Sequence, residues 1–305
     1  MLTVTAPAKI NWSLYVLGRR EDGYHTILSL MQRIGLYDTL TFEASSRLEL
    51  HAAMDLPPER NLVFRAAAML REHTGTKAGA RITLKKEIPA GAGLGGGSSD
   101  AASALLGLNT LWGLGLSRSE LKELGGRLGS DVPFFLEEAP LAVAEGRGEV
   151  LSPLSLAASY SVLVVHPAFS VSTAWAYGAL DAALRSGSSG TPRELTKADN
   201  SMNNIKFIYE ALAAGFLHRL SSLVHNDFEE VVSGEHPVIG AIKARMREQG
   251  AVVALMSGSG SAVFGLFEDS EQALSVSRSF APFFSRVAET LSAAPERAGS
   301  SAALP

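Results

Sequence analysis

The stretch Pro89-Ala90-Gly91-Ala92-Gly93-Leu94-Gly95-Gly96-Gly97-Ser98-Ser99-Asp100 places five glycines within seven residues, ahead of two hydroxyl side chains and an alanine-rich segment. Glycine admits positive φ and lets the backbone approach a ligand with no Cβ in between. A helix N-terminus adds unpaired N–H groups and the positive end of its dipole, and both attract phosphate. Ahead of the run, Arg81 to Ile88 alternates apolar and polar residues with period two, as a half-buried strand does. Strand, glycine loop and helix in that order predict a cradle for nucleotide phosphates. Ser98 and Ser99 can bond phosphate oxygens or ligate Mg²⁺, and capping of the following helix is the structural alternative.

Two commoner glycine fingerprints do not fit. A Walker A loop ends in Gly-Lys-Ser/Thr, and no lysine follows these glycines until Lys122. Gly91, Gly93 and Gly96 can carry Gly-x-Gly-x-x-Gly, but the acidic residue expected about twenty positions later is missing: Asp100 is too early and Glu120 opens a polar helix. Leu94 and the patterned segments on both sides argue against a flexible linker.

Composition narrows the chemistry further. The 305 residues suffice for two domains, 46% of them are apolar and 19% charged, and the net charge is −4. Basic residues are scattered, so neither a nucleic acid nor an anionic membrane is expected as a partner. The absence of cysteine excludes disulfides, thiolate catalysis and zinc–thiolate sites, and the seven histidines offer no His-x-x-x-His pair with a glutamate. Neither a signal-like start nor an apolar run of membrane-spanning length occurs, so a cytoplasmic protein is expected.

The positioning elements follow from patterning. Leu2–Ala8, Asn11–Leu17, Ile34–Glu43 and Leu48–His51 read as strands, and Asn61–Thr74 as an amphipathic helix. Asp100–Leu114 reads as a second helix. A third runs to about Leu128 from a capping box at Ser117 and Glu120. Gly129-Ser130-Asp131-Val132-Pro133 breaks it, and Phe134–Leu136 is expected to be extended. A domain boundary is placed near Ser152-Pro153, dividing residues 1–153 from 154–292, with 293–305 a low-complexity tail expected to be disordered. Ser161–Pro167 reads as a buried strand and Arg185–Pro192 as a mobile loop. Helices are expected at Met202–Ala214, Leu220–Val232, Val238–Glu248 and Ser270–Ser279, and a hairpin around Ser257-Gly258-Ser259-Gly260-Ser261.

Three motifs together resemble the GHMP small-molecule kinases: Pro7-Ala8-Lys9-Ile10-Asn11, the glycine loop and Ser257–Ser261. Arg20-Glu21-Asp22-Gly23-Tyr24-His25, Gly91–Ser99, Gly129–Pro133 and His166-Pro167 are most similar to the branch acting on a cytidine-diphosphate-linked methylerythritol. The resemblance implies an α+β, two-domain fold: an N-terminal ribosomal-protein-S5-domain-2-like domain, a C-terminal ferredoxin-like domain and an active site in the cleft between them. It also implies transfer of the ATP γ-phosphoryl group, with Mg²⁺, to the substrate 2-hydroxyl in the non-mevalonate route to isoprenoid precursors. The expected partners are these small molecules. No tightly bound cofactor is expected, and the assembly is a monomer or homodimer.

Residue by residue, the resemblance makes Asp131 the catalytic base. Lys9 is the ammonium beside it, and Asn11, two residues on and on the same strand face, holds the lysine or the acceptor hydroxyl. Tyr24 and Tyr177 would sandwich the cytosine, with His25 on its edge and Thr173 a hydroxyl contact. Pro89 to Ser99 would hold the ATP phosphates, with Lys86 and Asn61 on the adenine side. Each has a plainer reading: a turn aspartate, a solvated strand lysine, an amphipathic-helix tyrosine. Asn226-Asp227-Phe228-Glu229 is read as a helix start. Two other functions remain in view: a GHMP kinase for homoserine, mevalonate or a sugar, and a nucleotide-binding relative without catalysis.

Overall fold

The computed structural model describes residues 1–53, 57–185 and 194–292. The segments 186–192 and 293–305, read above as a mobile loop and a disordered tail, lie outside the described residues.

The chain begins with its two longest strands, β1 (Leu2–Arg19) and β2 (His25–Ser45), which pair antiparallel. The two separate strands expected here are thus one, because the break falls at bulges rather than a turn. Register shifts lie between Pro7 and Ala8 and between Asn11 and Ser13. Proline cannot donate to the ladder, and bulges re-aim the side chains beside them. Lys9 and Asn11 stand between the two shifts.

Next come β3 (Leu48–Ala52), α1 (Leu62–Thr74), β4 (Gly79–Lys85), α2 (Gly96–Leu111), α3 (Arg118–Leu128), α4 (Val132–Leu136), β5 (Leu141–Glu145) and β6 (Val150–Leu154). They are followed by β7 (Ser161–His166), α5 (Thr173–Arg185), α6 (Glu194–Ala214), the two-residue β8 (His225–Asn226), α7 (Glu229–Glu235), α8 (Pro237–Glu248), β9 (Val253–Met256), β10 (Val263–Phe267), α9 (Ser270–Ser277) and β11 (Phe284–Glu289). The seven-stranded sheet has the order β3-β4-β2-β1-β8, with β5 on β2 and β6 on β5; the second sheet is β11-β7-β10-β9. The fold is α+β with two domains, as the resemblance implied.

α1, α2 and α4 cover one face of the large sheet through Leu70, Leu105, Phe134 and Phe42. The other face meets the second sheet and α6 in a shared core, where Trp12 lies edge-on to Phe264 with ring centres 5.5 Å apart. This packing holds the glycine loop and the β9–β10 loop against each other.

Several expected elements differ. α2 starts at Gly96 rather than Asp100: its N-cap is Gly95 at φ 70°, and neither Ser98 nor Ser99 caps it. Phe134–Leu136 is helical, since Pro133 fits the first helical turn and all three residues are buried there. No helix spans Leu220–Val232. The Asn226 side chain accepts the Phe228 N–H and the Asp227 carboxylate accepts the Val16 N–H, and such local bonds compete with helix formation. Strand β11, antiparallel to β7, was not anticipated, because its half-exposed residues carry little apolar pattern.

Candidate active site

Between the two halves lies a cleft of about 1010 Å³, lined by Pro89 to Ser98, Lys9, Asn11, Asp131, Tyr24, His25 and Tyr177 among others. Within the loop, Ala92 and Leu94 turn their side chains into the core. Gly91, Gly93 and Gly95 all have positive φ. The first amides of α2 have no acceptor within the helix, and the dipole of this 16-residue helix ends at the cleft. Ser98 lines the cleft, whereas Ser99 is fully buried and its hydroxyl has no partner.

Lys9 is also buried. Its ammonium donates to Asn11 Oδ1 at 2.6 Å and to the Gly93 carbonyl at 2.9 Å, and stands 3.7 Å from Asp131 Oδ2. Asn11 Nδ2 donates to the Ser29 hydroxyl, which donates to the Ser13 carbonyl, at 2.8 and 2.6 Å. That chain fixes the amide so that its oxygen faces the lysine. Burial pushes the Lys9 pKa below its ordinary value, and Asp131 opposes the shift. Asp131 itself sits at the N-cap of α4, yet its carboxylate caps nothing and remains 31% exposed toward the cleft.

The far end of α4 is fastened by two arginines. Buried Arg33 donates to the Phe134 carbonyl, and to that of Glu137 at 2.8 Å, with its guanidinium 5.2 Å from the Phe134 ring centre. Arg118 donates to the Leu136 carbonyl at 2.9 Å. Cations suit a helix C-terminus, and these two fasten α4, whose N-cap is Asp131. Burial pushes the Arg33 pKa down to about 10.

Lys86 lies under the loop, where its ammonium is paired with Asp38 and with Asp100 at 2.8 Å. The other Asp38 oxygen accepts the Glu87 and Ile88 amides at 2.6 and 2.8 Å. Burial pushes the Asp100 carboxyl up to about 7, against the pull of Lys86. Asn61 caps α1 by accepting the Val63 amide at 2.9 Å, and it also borders the cleft.

The opposite wall is aromatic. His25 stacks on Tyr177, ring centres 4.5 Å apart and planes 13° apart, while Phe228 meets Tyr177 at right angles, 4.8 Å away. The imidazole therefore already covers Tyr177 on one side. Tyr24 is 56% exposed, with the Arg147 guanidinium 5.0 Å from its ring centre. Thr173 and Ser259 hydroxyls lie 2.9 Å apart, joining α5 to the β9–β10 loop.

Sequence reasoning missed Asp38, Arg33, Arg147, Asp181 and the role of Asn226. Asn226 donates at 2.8 Å to the carbonyls of both Met256 and Gly258, holding the β9–β10 loop against β1. Asp181 carried a usable signal, being four residues after Tyr177 and eight after Thr173, on one helix face. Among the described residues, no three of His, Asp and Glu come together as metal ligands, and no helix is long and apolar enough to cross a membrane.

The GHMP kinases N terminal domain matches residues 61–138 and the GHMP kinases C terminal domain residues 208–285. A 4-diphosphocytidyl-2-C-methyl-D-erythritol kinase from Thermodesulfovibrio yellowstonii is 45% identical over 292 residues, 95% of this chain and 98% of its own. The crystal structure of a 4-(cytidine 5'-diphospho)-2C-methyl-D-erythritol kinase is 36% identical with a TM-score of 0.78, covering 95% of this chain and 99% of that one. A homoserine kinase from Cytophaga hutchinsonii, 20% identical with a TM-score of 0.71 over 95% of this chain and 94% of its own, shares the fold.

Proposed function

The chain belongs to the 4-diphosphocytidyl-2-C-methyl-D-erythritol kinases within the GHMP kinases, and from that membership we propose that it transfers the γ-phosphoryl group of ATP to the 2-hydroxyl of 4-diphosphocytidyl-2-C-methyl-D-erythritol, a step in the non-mevalonate route to isoprenoid precursors. The observation that carries this reading is the single cleft in which the glycine loop, the Lys9–Asp131 pair and the Tyr24–His25–Tyr177 wall all open.

Phosphoryl transfer passes through a loose transition state, so positioning and charge neutralisation dominate. In this reading the amides of the glycine loop and of the α2 N-terminus hold the ATP phosphates. Asp131, exposed to the cleft and held by α4, orients the acceptor hydroxyl and takes its proton. Lys9 compensates the carboxylate and faces the incoming negative charge. Asn11 keeps the ammonium aimed. The aromatic wall receives the base, its edge read by His25.

Ser98 fits a cation that keeps most of its water and takes few protein oxygens, while Ser99 is enclosed in the core. Mg²⁺ held by Ser98 and the phosphate oxygens would supply charge neutralisation. The test is a coupled ADP-release assay with the cytidylyl substrate set against homoserine and mevalonate. ADP release with the first alone supports the proposal, and release with either of the others overturns it.

A further inference from the structure

We propose that Asp181 is a positioning residue that sets which face of the His25 imidazole's hydrogen-bonding is offered to the substrate base, and so takes part in selecting cytosine; the inference rests on the cytidylyl substrate proposed above. His25 Nε2 lies 2.8 Å from Asp181 Oδ1, and the imidazole is 8% exposed against 20% for the carboxylate. A carboxylate accepts and does not donate, so the proton between them resides on Nε2. In the neutral ring Nδ1 is then an acceptor, and the partner of one ring nitrogen fixes the role of the other.

The ring is held as well as oriented. It stacks on Tyr177, which stands one helical turn before Asp181, so a single face of α5 supplies both the plate and the anchor. The Arg19 guanidinium also lies near Asp181, 3.8 Å from Oδ2, and its side chain is 60% exposed, so it does not compete strongly for the carboxylate. His25 is the first residue of β2, opposite Arg19 at the end of the β1–β2 ladder. The imidazole therefore has a rigid strand behind it, a ring on one face and an acceptor at Nε2. An Nδ1 acceptor favours an amino group on the base edge and disfavours a carbonyl oxygen, which is the difference between cytosine and uracil.

The experiment has two arms. Steady-state kinetics of Asp181→Ala, checked for wild-type thermal denaturation, should show KM for the cytidylyl substrate raised about tenfold, with KM for ATP and kcat within twofold of wild type, whereas Asp181→Asn, whose amide oxygen still accepts from Nε2, should lie closer to wild type. An unchanged cytidylyl KM in the alanine variant, or an equal rise in both its KM values, overturns the inference. Long-range ¹H–¹⁵N spectra of the His25 ring in the wild-type protein form the second arm. Above the imidazole pKa they should show the proton on Nε2, and a proton on Nδ1 overturns the inference whatever the variants do. If wild-type protein fails to phosphorylate the cytidylyl substrate, the proposed function falls. The spectra still report on the Asp181–His25 pair.

Discussion

Gly93 and Ser257 meet main chain to main chain: a Cβ on Gly93 would stand 2.0 Å from the Ser257 carbonyl oxygen. The Ser257 hydroxyl donates to the Gly93 carbonyl at 3.0 Å, and Lys9 donates to that same carbonyl at 2.9 Å. One peptide oxygen thus ties the glycine loop, the β1 lysine and the loop between β9 and β10. The two halves of the fold are joined at the proposed reaction centre rather than beside it.

Gly93→Ala tests that junction. The residue has φ +77°, a conformation L side chains rarely adopt, and the new methyl would collide with backbone that cannot rotate away. Left-handed backbone alone costs roughly 1–2 kcal/mol for a residue with a Cβ. The variant should melt several degrees lower and bind ATP more weakly. Differential scanning calorimetry and an ATP titration measure both, and wild-type values in each would show that the loops do not need this contact.

Lys9→Met tests the chemistry directly. Methionine fills the space but leaves the buried Asn11 Oδ1 without its donor, so the melting temperature should fall by a few degrees, while turnover falls by about 10²-fold or more. The pH dependence has a definite sign. The folded-state pKa of Lys9 lies below 10.5, so in the window up to that value the unfolded chain binds the proton that the folded chain has released. The Lys9 contribution therefore makes stability rise with pH across that window, and its slope should be absent in the variant. Equal slopes for the two proteins in alkaline denaturation series would refute a depressed Lys9 pKa.

Legibility varied with what each feature depends on. The glycine loop, the Ser117–Glu120 capping box and the β9–β10 hairpin rest on local rules, and each could be read from a few adjacent residues. The bulged unity of β1 could not, because the alternation slips at the bulges beside Ala8 and Asn11, and only the partner strand shows that pairing continues through them. Asn226 and Asp227 do lead into α7, which starts at Glu229, but the distant backbone their side chains serve, at Met256, Gly258 and Val16, leaves no local trace. The Lys86–Asp38–Asp100 cluster joins positions 38, 86 and 100, and only the pairing of β2 with β4 and the packing of α2 bring them together.

Arg33 should matter for activity although it lies away from the cleft. It bonds the last carbonyls of α4, whose first turn aims Asp131. Arg33→Met leaves those buried carbonyls without that donor, and each such loss costs about 1–3 kcal/mol. The expected result is a lower melting temperature together with reduced kcat and little change in KM for ATP. A fall in stability with wild-type kcat, measured well below the melting temperature, would mean that α4 holds Asp131 without the arginine.

Tyr24→Ala probes the acceptor wall with little risk to the fold, because the ring is 56% exposed and its ring contact is the Arg147 guanidinium 5.0 Å away. Stacking of a base on an aromatic ring contributes roughly 1–3 kcal/mol, so KM for the cytidylyl substrate should rise about tenfold or more. Neither ATP binding nor melting temperature should move. Tyr24→Phe keeps the ring and should keep the affinity, which separates stacking from any contribution of the hydroxyl. Should the alanine variant bind the cytidylyl substrate as wild type does, the base does not rest on Tyr24. Since His25 already covers Tyr177 on one side, the stacking partner would then have to be sought on the remaining faces of that wall.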